Sequence, residues 1–327
     1  MRAPAFWWAE QAPAVARLLA PLGAIYGAIT ASRMRQVGQR AAVPVICIGN
    51  FTAGGAGKTQ VALALGELLK GLGASPAFLS RGYGGSHQGA PHRVDPMRDI
   101  AALTGDEPLL LAQIAPTFVS ADRVAGAAAC EAAGAKVIIL DDGLQNPSLA
   151  KQLSLAVVDG RRGVGNGLCI PAGPLRATLS AQWPAVDALI VIGAGTQGGA
   201  LATQARQRGK AVFEASIEPD QVKAADLKGQ RVFAFAGIGD PSKFYTTLRA
   251  LGAQVVGTRD FDDHHAFSNE ELTSLRKTAA DLGARLVTTQ KDLMRISDRN
   301  GIEAVPVTLV FAEPQVFASY VTDKIGL

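Results

Sequence analysis

The stretch Thr52-Ala53-Gly54-Gly55-Ala56-Gly57-Lys58-Thr59 has the residue types and spacing of a phosphate-binding loop. Its glycines let the backbone wrap closely and turn N–H groups toward phosphate oxygens, and a following helix adds the favourable end of its dipole. In that setting Lys58 would reach the β- and γ-phosphates of a nucleoside triphosphate, and the Thr59 hydroxyl would ligate Mg²⁺. The pattern usually opens with glycine, and here that position is Thr52. Further on, Val137-Ile138-Ile139-Leu140-Asp141-Asp142 is an apolar run ending in two carboxylates. A strand of this kind delivers its terminal carboxylates to the edge of an open α/β sheet where ligands bind. One of them would hold Mg²⁺, directly or through water, and the other would orient the attacking group or a second ligand. A strand-terminal Asp is also a common turn residue, so the pair takes its meaning from the loop upstream.

The base of the nucleotide follows from what is missing. A guanine site carries Asn-Lys-x-Asp, whereas the nearest stretch here is Gln290-Lys291-Asp292, which lacks the Asn and has its Asp one position early. GTP is therefore disfavoured and ATP expected. The Gly-Gly-x-Gly-Lys-Thr core is shared with partition-type NTPases, but their signature lysine is replaced by Ala53.

These groups need a scaffold, and the chain supplies one. Residues 43–48 form an apolar run before the loop, and a helix from 58 to 70 follows, with Val61, Leu65, Leu68 and Leu69 on one face. Further strands are predicted at 77–79, 117–120, 137–140 and 155–158, then at 188–192, 212–215, 232–236, 255–257, 286–289 and 307–311. Helical stretches lie between most of them, the pattern of mostly parallel sheets covered on both sides. The expected architecture is two α/β/α domains, the first a P-loop NTPase domain, preceded by an amphipathic N-terminal helix. The domains are expected at 41–180 and 181–327, with the last strand free to return to the first.

Composition limits the alternatives. The 327 residues are 48% hydrophobic and 18% charged, with 36 Gly and 17 Pro, which excludes a disordered chain, a coiled coil and a collagen-like repeat. The three cysteines have no paired spacing, which argues against a disulfide scaffold or zinc site and fits a reducing cytoplasm. A net charge of +4 suits an anionic membrane or a phosphorylated substrate without calling for nucleic acid. Residues 1–40 stand apart. Phe6, Trp7 and Trp8 precede Val15, Leu18, Leu19, Leu22, Ile25, Tyr26 and Ile29 at helical spacing, and Arg33, Arg35 and Arg40 follow. The uncharged gap from Arg17 to Arg33 falls short of the roughly 18 residues of a confident transmembrane span. The segment reads either as a helix lying on an anionic leaflet or as an ordinary amphipathic helix packed on its own domain. Glu10 and Pro13 before the apolar run argue against a signal peptide.

Taken together, the motifs carry a resemblance. Gly49-Asn50-Phe51 leading into the loop, Ser80-Arg81-Gly82-Tyr83-Gly84-Gly85, Gly105-Asp106-Glu107-Pro108 and Asp141-Asp142-Gly143-Leu144-Gln145 occur in order. Gly165-Asn166-Gly167, Pro171-Ala172-Gly173-Pro174-Leu175-Arg176, Ala236-Gly237-Ile238-Gly239 and Asp263-His264-His265 follow. The set resembles the tetraacyldisaccharide 4′-kinase family of Gram-negative bacteria over most of residues 15–295. Two positions depart from it: Asn146 stands where a His often follows the Gln, and Gln290 replaces a common Glu.

The resemblance implies transfer of the ATP γ-phosphate to the 4′-hydroxyl of a tetraacylated glucosamine disaccharide 1-phosphate, in lipid A biosynthesis. It implies Asp106 as the base paired with His264, with Lys58 and Asp142 completing the catalytic set and Thr59, Asp141 and Asp142 as Mg²⁺ ligands. From the residues alone, Asp106 reads first as the cap of a helix containing Pro108, and His264 as a loop histidine. Arg81, Tyr83, Asn166 and Arg176 are the expected substrate contacts. The cluster of Asp159, Arg161, Arg162, Asn166 and Arg176 has a second reading, as a salt-bridge network linking the domains. Arg123 reads as a phosphate-sensing cation or as a surface residue paired with Asp122 or Glu131. The family's membrane-associated N-terminal helix favours the membrane reading of residues 1–40, which places the enzyme on the cytoplasmic face of the inner membrane, peripheral or monotopic. No nucleic-acid or obligate protein partner is expected. The alternative function is a membrane-associated P-loop ATPase acting on a protein partner, and a third is a nucleotide-binding module without turnover.

Overall fold

The computed structural model describes residues 3–9 and 11–327, so Glu10 lies outside the described residues. The strands in chain order are β1 (Val45–Gly49), β2 (Pro76–Ser80), β3 (His92–Arg93), β4 (Thr117–Val119), β5 (Val137–Asp141), β6 (Leu153–Asp159) and β7 (Ala188–Ile192). They continue with β8 (Ala211–Pro219), β9 (Arg231–Ala236), β10 (Gln254–Asp260), β11 (Arg285–Thr289), β12 (Ile302–Val305) and β13 (Val307–Phe311). Nine of them form one sheet in the order β13-β8-β7-β6-β1-β5-β2-β4-β3, and four form a second in the order β10-β9-β11-β12. Pairing is parallel except for the edge pairs β13 with β8 and β3 with β4.

Strands β1, β2, β4, β5 and β6 are buried on both faces, as helix-covered parallel strands must be. Alternation still sorts them: Val45, Cys47 and Leu79 enter one core, and Ile46, Ile48 and Phe78 enter the core on the other face. The four-stranded sheet repeats the arrangement, with Val232 and Ala234 on one side and Phe233 and Phe235 on the other. Each fully buried Ile, Leu or Phe contributes about 1.5–3 kcal/mol, so these four layers hold both sheets.

The boundary expected near residue 180 does not separate the sheets. Strands β7 and β8 continue the large sheet, β7 pairing with β6 and β8 with β7, while β13 returns to pair with β8. Only β9 to β12 make up the smaller sheet. The chain passes from β1 toward β2 and β4 on one side, and after β5 crosses to β6 on the other. The reversal falls at the C-terminal ends of β1 and β5, the crevice where open α/β sheets receive ligands.

The N-terminal helix, α1 (Ala14–Met34), has 21 residues and a mean hydropathy of 1.5 over its most apolar 18-residue window. By length and composition it is sufficient to cross a bilayer, longer than its uncharged gap indicated. It is docked side-on, with Ala16, Gly23 and Gly27 buried. A Cβ on Gly27 would come within 2.7 Å of Cys169 Sγ, and one on Gly23 within 2.6 Å of the Cys169 carbonyl. Small residues are thus required on the protein side, while Leu18, Leu22, Ile25 and Ile29 stay exposed on the other.

Candidate active site

The phosphate-binding loop lies between β1 and helix α2 (Lys58–Gly71), as its motif requires. Gly54 and Gly57 take φ of +98° and +91°, a region L side chains avoid, so the backbone path itself demands glycine there. Lys58 Nζ donates to Asn50 Oδ1 at 3.1 Å and stands 3.5 Å from Asp142 Oδ1. Asn50 in turn donates to the Gly54 carbonyl at 3.1 Å, closing the loop on itself.

A second segment braces the loop from outside. The Ala53 amide donates to the Pro174 carbonyl, the Arg176 amide to the Phe51 carbonyl and Arg176 Nε to the Thr52 carbonyl. Arg176 Nη2 reaches Asp142 Oδ2 at 2.8 Å. Gln145 joins the same frame through the Asn50 carbonyl at 2.8 Å and Gln182 Oε1 at 2.7 Å. Arg176, expected as a substrate contact, is therefore committed to holding the loop and Asp142.

The two carboxylates after β5 differ. Asp141 is buried, accepts from Ser80 Oγ at 3.4 Å, and is pushed up to about 7 by burial and by Glu107 and Asp142 nearby. Burial also opposes charge on Asp142, but Lys58 and Arg176 prevail and hold it below the ordinary carboxylate range. Among the described residues, Asp141 Oδ1 and Asp142 Oδ1 are buried without a hydrogen-bond partner. Asp141 Oδ1, Asp142 Oδ1 with the Lys58 charge near it, and the Thr59 hydroxyl at the second position of α2 are a hard-oxygen donor set that suits Mg²⁺. Arg123 is turned inward, donating to the Ser120 carbonyl at 3.2 Å with Asp141 and Asp142 in electrostatic reach. Neither surface pairing considered for it forms: Asp122 caps its own helix, and Glu131 accepts from the Ala42 amide.

Across the crevice, Asp106 opens the helix Asp106–Leu111 after Gly105, whose φ is +90°. Its Oδ2 lies 3.2 Å from His264 Nδ1, 2.7 Å from Arg295 Nε and 4.0 Å from Lys291 Nζ. Its Oδ1 accepts from the Glu107 amide at 2.9 Å. Burial alone would raise its proton affinity, but the His264 bond and the Lys291 and Arg295 charges draw it well below the usual range. His264 has φ of +60° and donates its amide to the Gly237 carbonyl, so the loop after β10 presents the ring in a fixed, uncommon backbone conformation. Tyr83 packs edge-on against that ring, centroids 5.4 Å apart, and is otherwise exposed.

Of the expected substrate residues, Tyr83 lies beside His264 and Arg81 is exposed at the end of β2. Asn166 is not available: its Nδ2 donates to the Phe6 and Ala172 carbonyls and its Oδ1 accepts from the Leu168 amide. It ties down the N-terminal segment. Asp159 and Arg162 follow the linking reading, pairing with Lys243 and, at 2.8 Å, with Asp240. Sequence reasoning missed Arg295 and gave Lys291 and Glu107 no role, although Lys291 Nζ lies 3.1 Å from Glu107. The available signal was the one-turn spacing of Lys291 and Arg295 just after β11.

The chain is similar to known proteins over nearly its whole length. The family model described as tetraacyldisaccharide-1-P 4′-kinase matches residues 15–326. A tetraacyldisaccharide 4′-kinase of Methylobacterium sp. (strain 4-46) is 56% identical over 95% of this chain and 94% of its own. That of Methylobacterium radiotolerans is 54% identical over 100% and 99%. Among solved structures, LpxK from Aquifex aeolicus in complex with ATP superposes with a TM-score of 0.75 at 25% identity, covering 95% of this chain and 99% of that one.

Proposed function

The chain belongs to the tetraacyldisaccharide-1-phosphate 4′-kinase family, and from that premise we infer that it transfers the γ-phosphoryl group of ATP to the 4′-hydroxyl of a tetraacylated glucosamine disaccharide 1-phosphate. The observation that carries this reading is the pairing of Asp106 with His264, 158 residues apart in the chain, on a helix whose Glu107 is in electrostatic reach of Asp141, next to the Asp142 that faces Lys58 of the phosphate-binding loop.

The chemistry follows from positions. Backbone N–H groups of residues 52–59 and the start of α2 would cradle the phosphates, and Lys58 would neutralise charge on the group in flight. Thr59, Asp141 and Asp142 would hold Mg²⁺, which offsets negative charge on the phosphates when bound. Asp106 receives the proton of the sugar hydroxyl, with His264 beside it. A carboxylate with low proton affinity is adequate here. In a loose phosphoryl-transfer transition state the hydroxyl proton leaves late, when the oxygen is already bonding to phosphorus and has become acidic. Tyr83 and Arg81 are placed to meet the sugar or its phosphate.

The lipid nature of the acceptor gives α1 its use. Its exposed stripe of Leu18, Leu22, Ile25 and Ile29 is followed by Arg33, Arg35 and Arg40, a combination suited to the surface of an anionic leaflet. With Ala16, Gly23 and Gly27 held against the protein, the helix would lie along the cytoplasmic face of the inner membrane, and acyl chains would stay in the bilayer while the headgroup reaches the cleft.

The test is transfer of label from γ-labelled ATP to a tetraacylated disaccharide 1-phosphate in mixed micelles with Mg²⁺, beside Asp106→Ala. Labelled lipid with the wild type only, and ATP bound by both, is the expected result. Equal loss of ATP binding and transfer in the variant would remove Asp106 from the base role. ATP turnover without labelled lipid would favour an ATPase acting on a protein.

A further inference from the structure

Arg295 follows the short helix Gln290–Leu293, which leaves β11 of the smaller sheet and packs on the Asp106–Leu111 helix of the larger one. Its side chain is 5% exposed and engages two buried carboxylates, Asp106 through Nε at 2.7 Å and Asp292 through Nη1 at 3.0 Å. Nη1 also donates at 3.0 Å to the Gly237 carbonyl, the same carbonyl that receives the His264 amide. Asp292 is itself fixed by the Gly237 amide and the Thr289 hydroxyl. The guanidinium is thus held rigidly on the smaller sheet's side and extended to a carboxylate carried by the other. Its Nη2 is buried with no hydrogen-bond partner among the described residues, leaving a spare donor next to Asp106.

A purely structural anchor would not need that arrangement, because Asp292 and Gly237 already satisfy one side of the guanidinium. Nor is it the usual way to strengthen a base: it places a permanent cation on the oxygen that faces His264. What it does is fix the direction in which the carboxylate points and make that direction depend on both sheets being in place.

We propose that Arg295 is a positioning residue for phosphoryl transfer: it holds Asp106 Oδ2 in register with His264 and so completes the proton-accepting pair only when the smaller sheet's side of the cleft is seated on the larger. This rests on the kinase reading above. The groups facing Asp106 are His264 from the loop after β10, Lys291 on the Gln290–Leu293 helix, Arg295 just after that helix, and Glu107 on its own helix, with Asp263 and Asp292 behind them. Loss of Arg295 removes the cation closest to Asp106 and frees the carboxylate to turn away from His264. A misplaced base costs on the order of 10²-fold in rate.

The experiment compares wild type, Arg295→Gln, Arg295→Lys and Asp106→Ala in the micelle assay at about pH 7, with ATP KM measured alongside. For Arg295→Gln we expect kcat lower by about 10²-fold and ATP KM within about twofold. Arg295→Lys, which keeps the charge but not the fork, should regain part of kcat. A kcat for Arg295→Gln within about threefold of wild type, or a loss in which ATP KM rises in step, would overturn the role. Should that variant fail to fold, Arg295→Lys decides: reduced kcat at unchanged ATP KM supports positioning, and full turnover overturns it. If wild type itself does not label the lipid, the kinase reading fails first.

Discussion

Arg176 binds Asp142 at 2.8 Å through Nη2 and the Thr52 carbonyl at 3.1 Å through Nε, so one guanidinium sets both the mouth of the phosphate-binding loop and the carboxylate after β5. Arg176→Lys keeps the charge but cannot make both contacts. The ATP KM should rise by about tenfold, the equivalent of about 1.4 kcal/mol. Steady-state titration with ATP at saturating acceptor checks it, and an unchanged KM would show that the loop holds its shape unaided.

Asp106 ties stability to pH. Its folded proton affinity is depressed, so its contribution is complete above the unfolded value of about 3.9 and disappears as pH falls through the folded value. Asp106→Asn removes this and leaves the buried Arg295 with Asp292 as its remaining charged partner, a loss of about 3 kcal/mol at pH 7. Urea melts at pH 7 and pH 3 should show the gap between wild type and variant narrowing in acid. A gap independent of pH would mean that the ion pair does not stabilise the fold.

Asn166 anchors the N-terminal segment rather than a substrate. Asn166→Ala loses bonds to Phe6, Ala172 and Leu168, each worth about 1 kcal/mol. Limited proteolysis near residues 6–13 should accelerate while the acceptor KM, measured in detergent micelles, stays within about twofold. A large rise in acceptor KM with unchanged proteolysis would return Asn166 to the substrate site.

Helix α1 presents two faces with separable consequences. Leu22→Glu with Ile25→Glu alters only the exposed stripe and should reduce partition onto anionic vesicles at least about tenfold, leaving ATP binding intact. Gly27→Leu instead forces a side chain onto Cys169 and should lower the melting temperature by several degrees, about 1–3 kcal/mol of overpacking. Vesicle sedimentation and thermal melts distinguish them; equal vesicle binding by the Glu variant would take the stripe out of membrane contact.

Much of this architecture was legible in local pattern. The loop at 52–59, the carboxylates ending β5 and nearly all the strands follow from runs of apolar residues punctuated by glycine, because backbone preference and burial period are local properties. The edge strands β3 and β12 escaped, being short and only partly buried. Sheet membership escaped as well: β7 and β8 have the same composition whichever sheet receives them, and nothing local decides their partner. Asn166 and Arg176 sit in Gly- and Pro-rich loops where polar residues resemble ligand contacts, yet their hydrogen bonds go largely to the protein's own backbone.

What the sequence by itself determined is the phosphate chemistry, since the loop, its lysine and its helix are contiguous and their geometry is set by glycine φ and strand-to-helix connectivity. What only the tertiary structure decided is the meeting of Asp106, His264 and Arg295. His264 and Arg295 lie 158 and 189 residues from Asp106, whose carboxylate they share, and their meeting depends on how the two sheets pack. Long-range packing of that kind is fixed by the whole core at once, so no local window of sequence contains it.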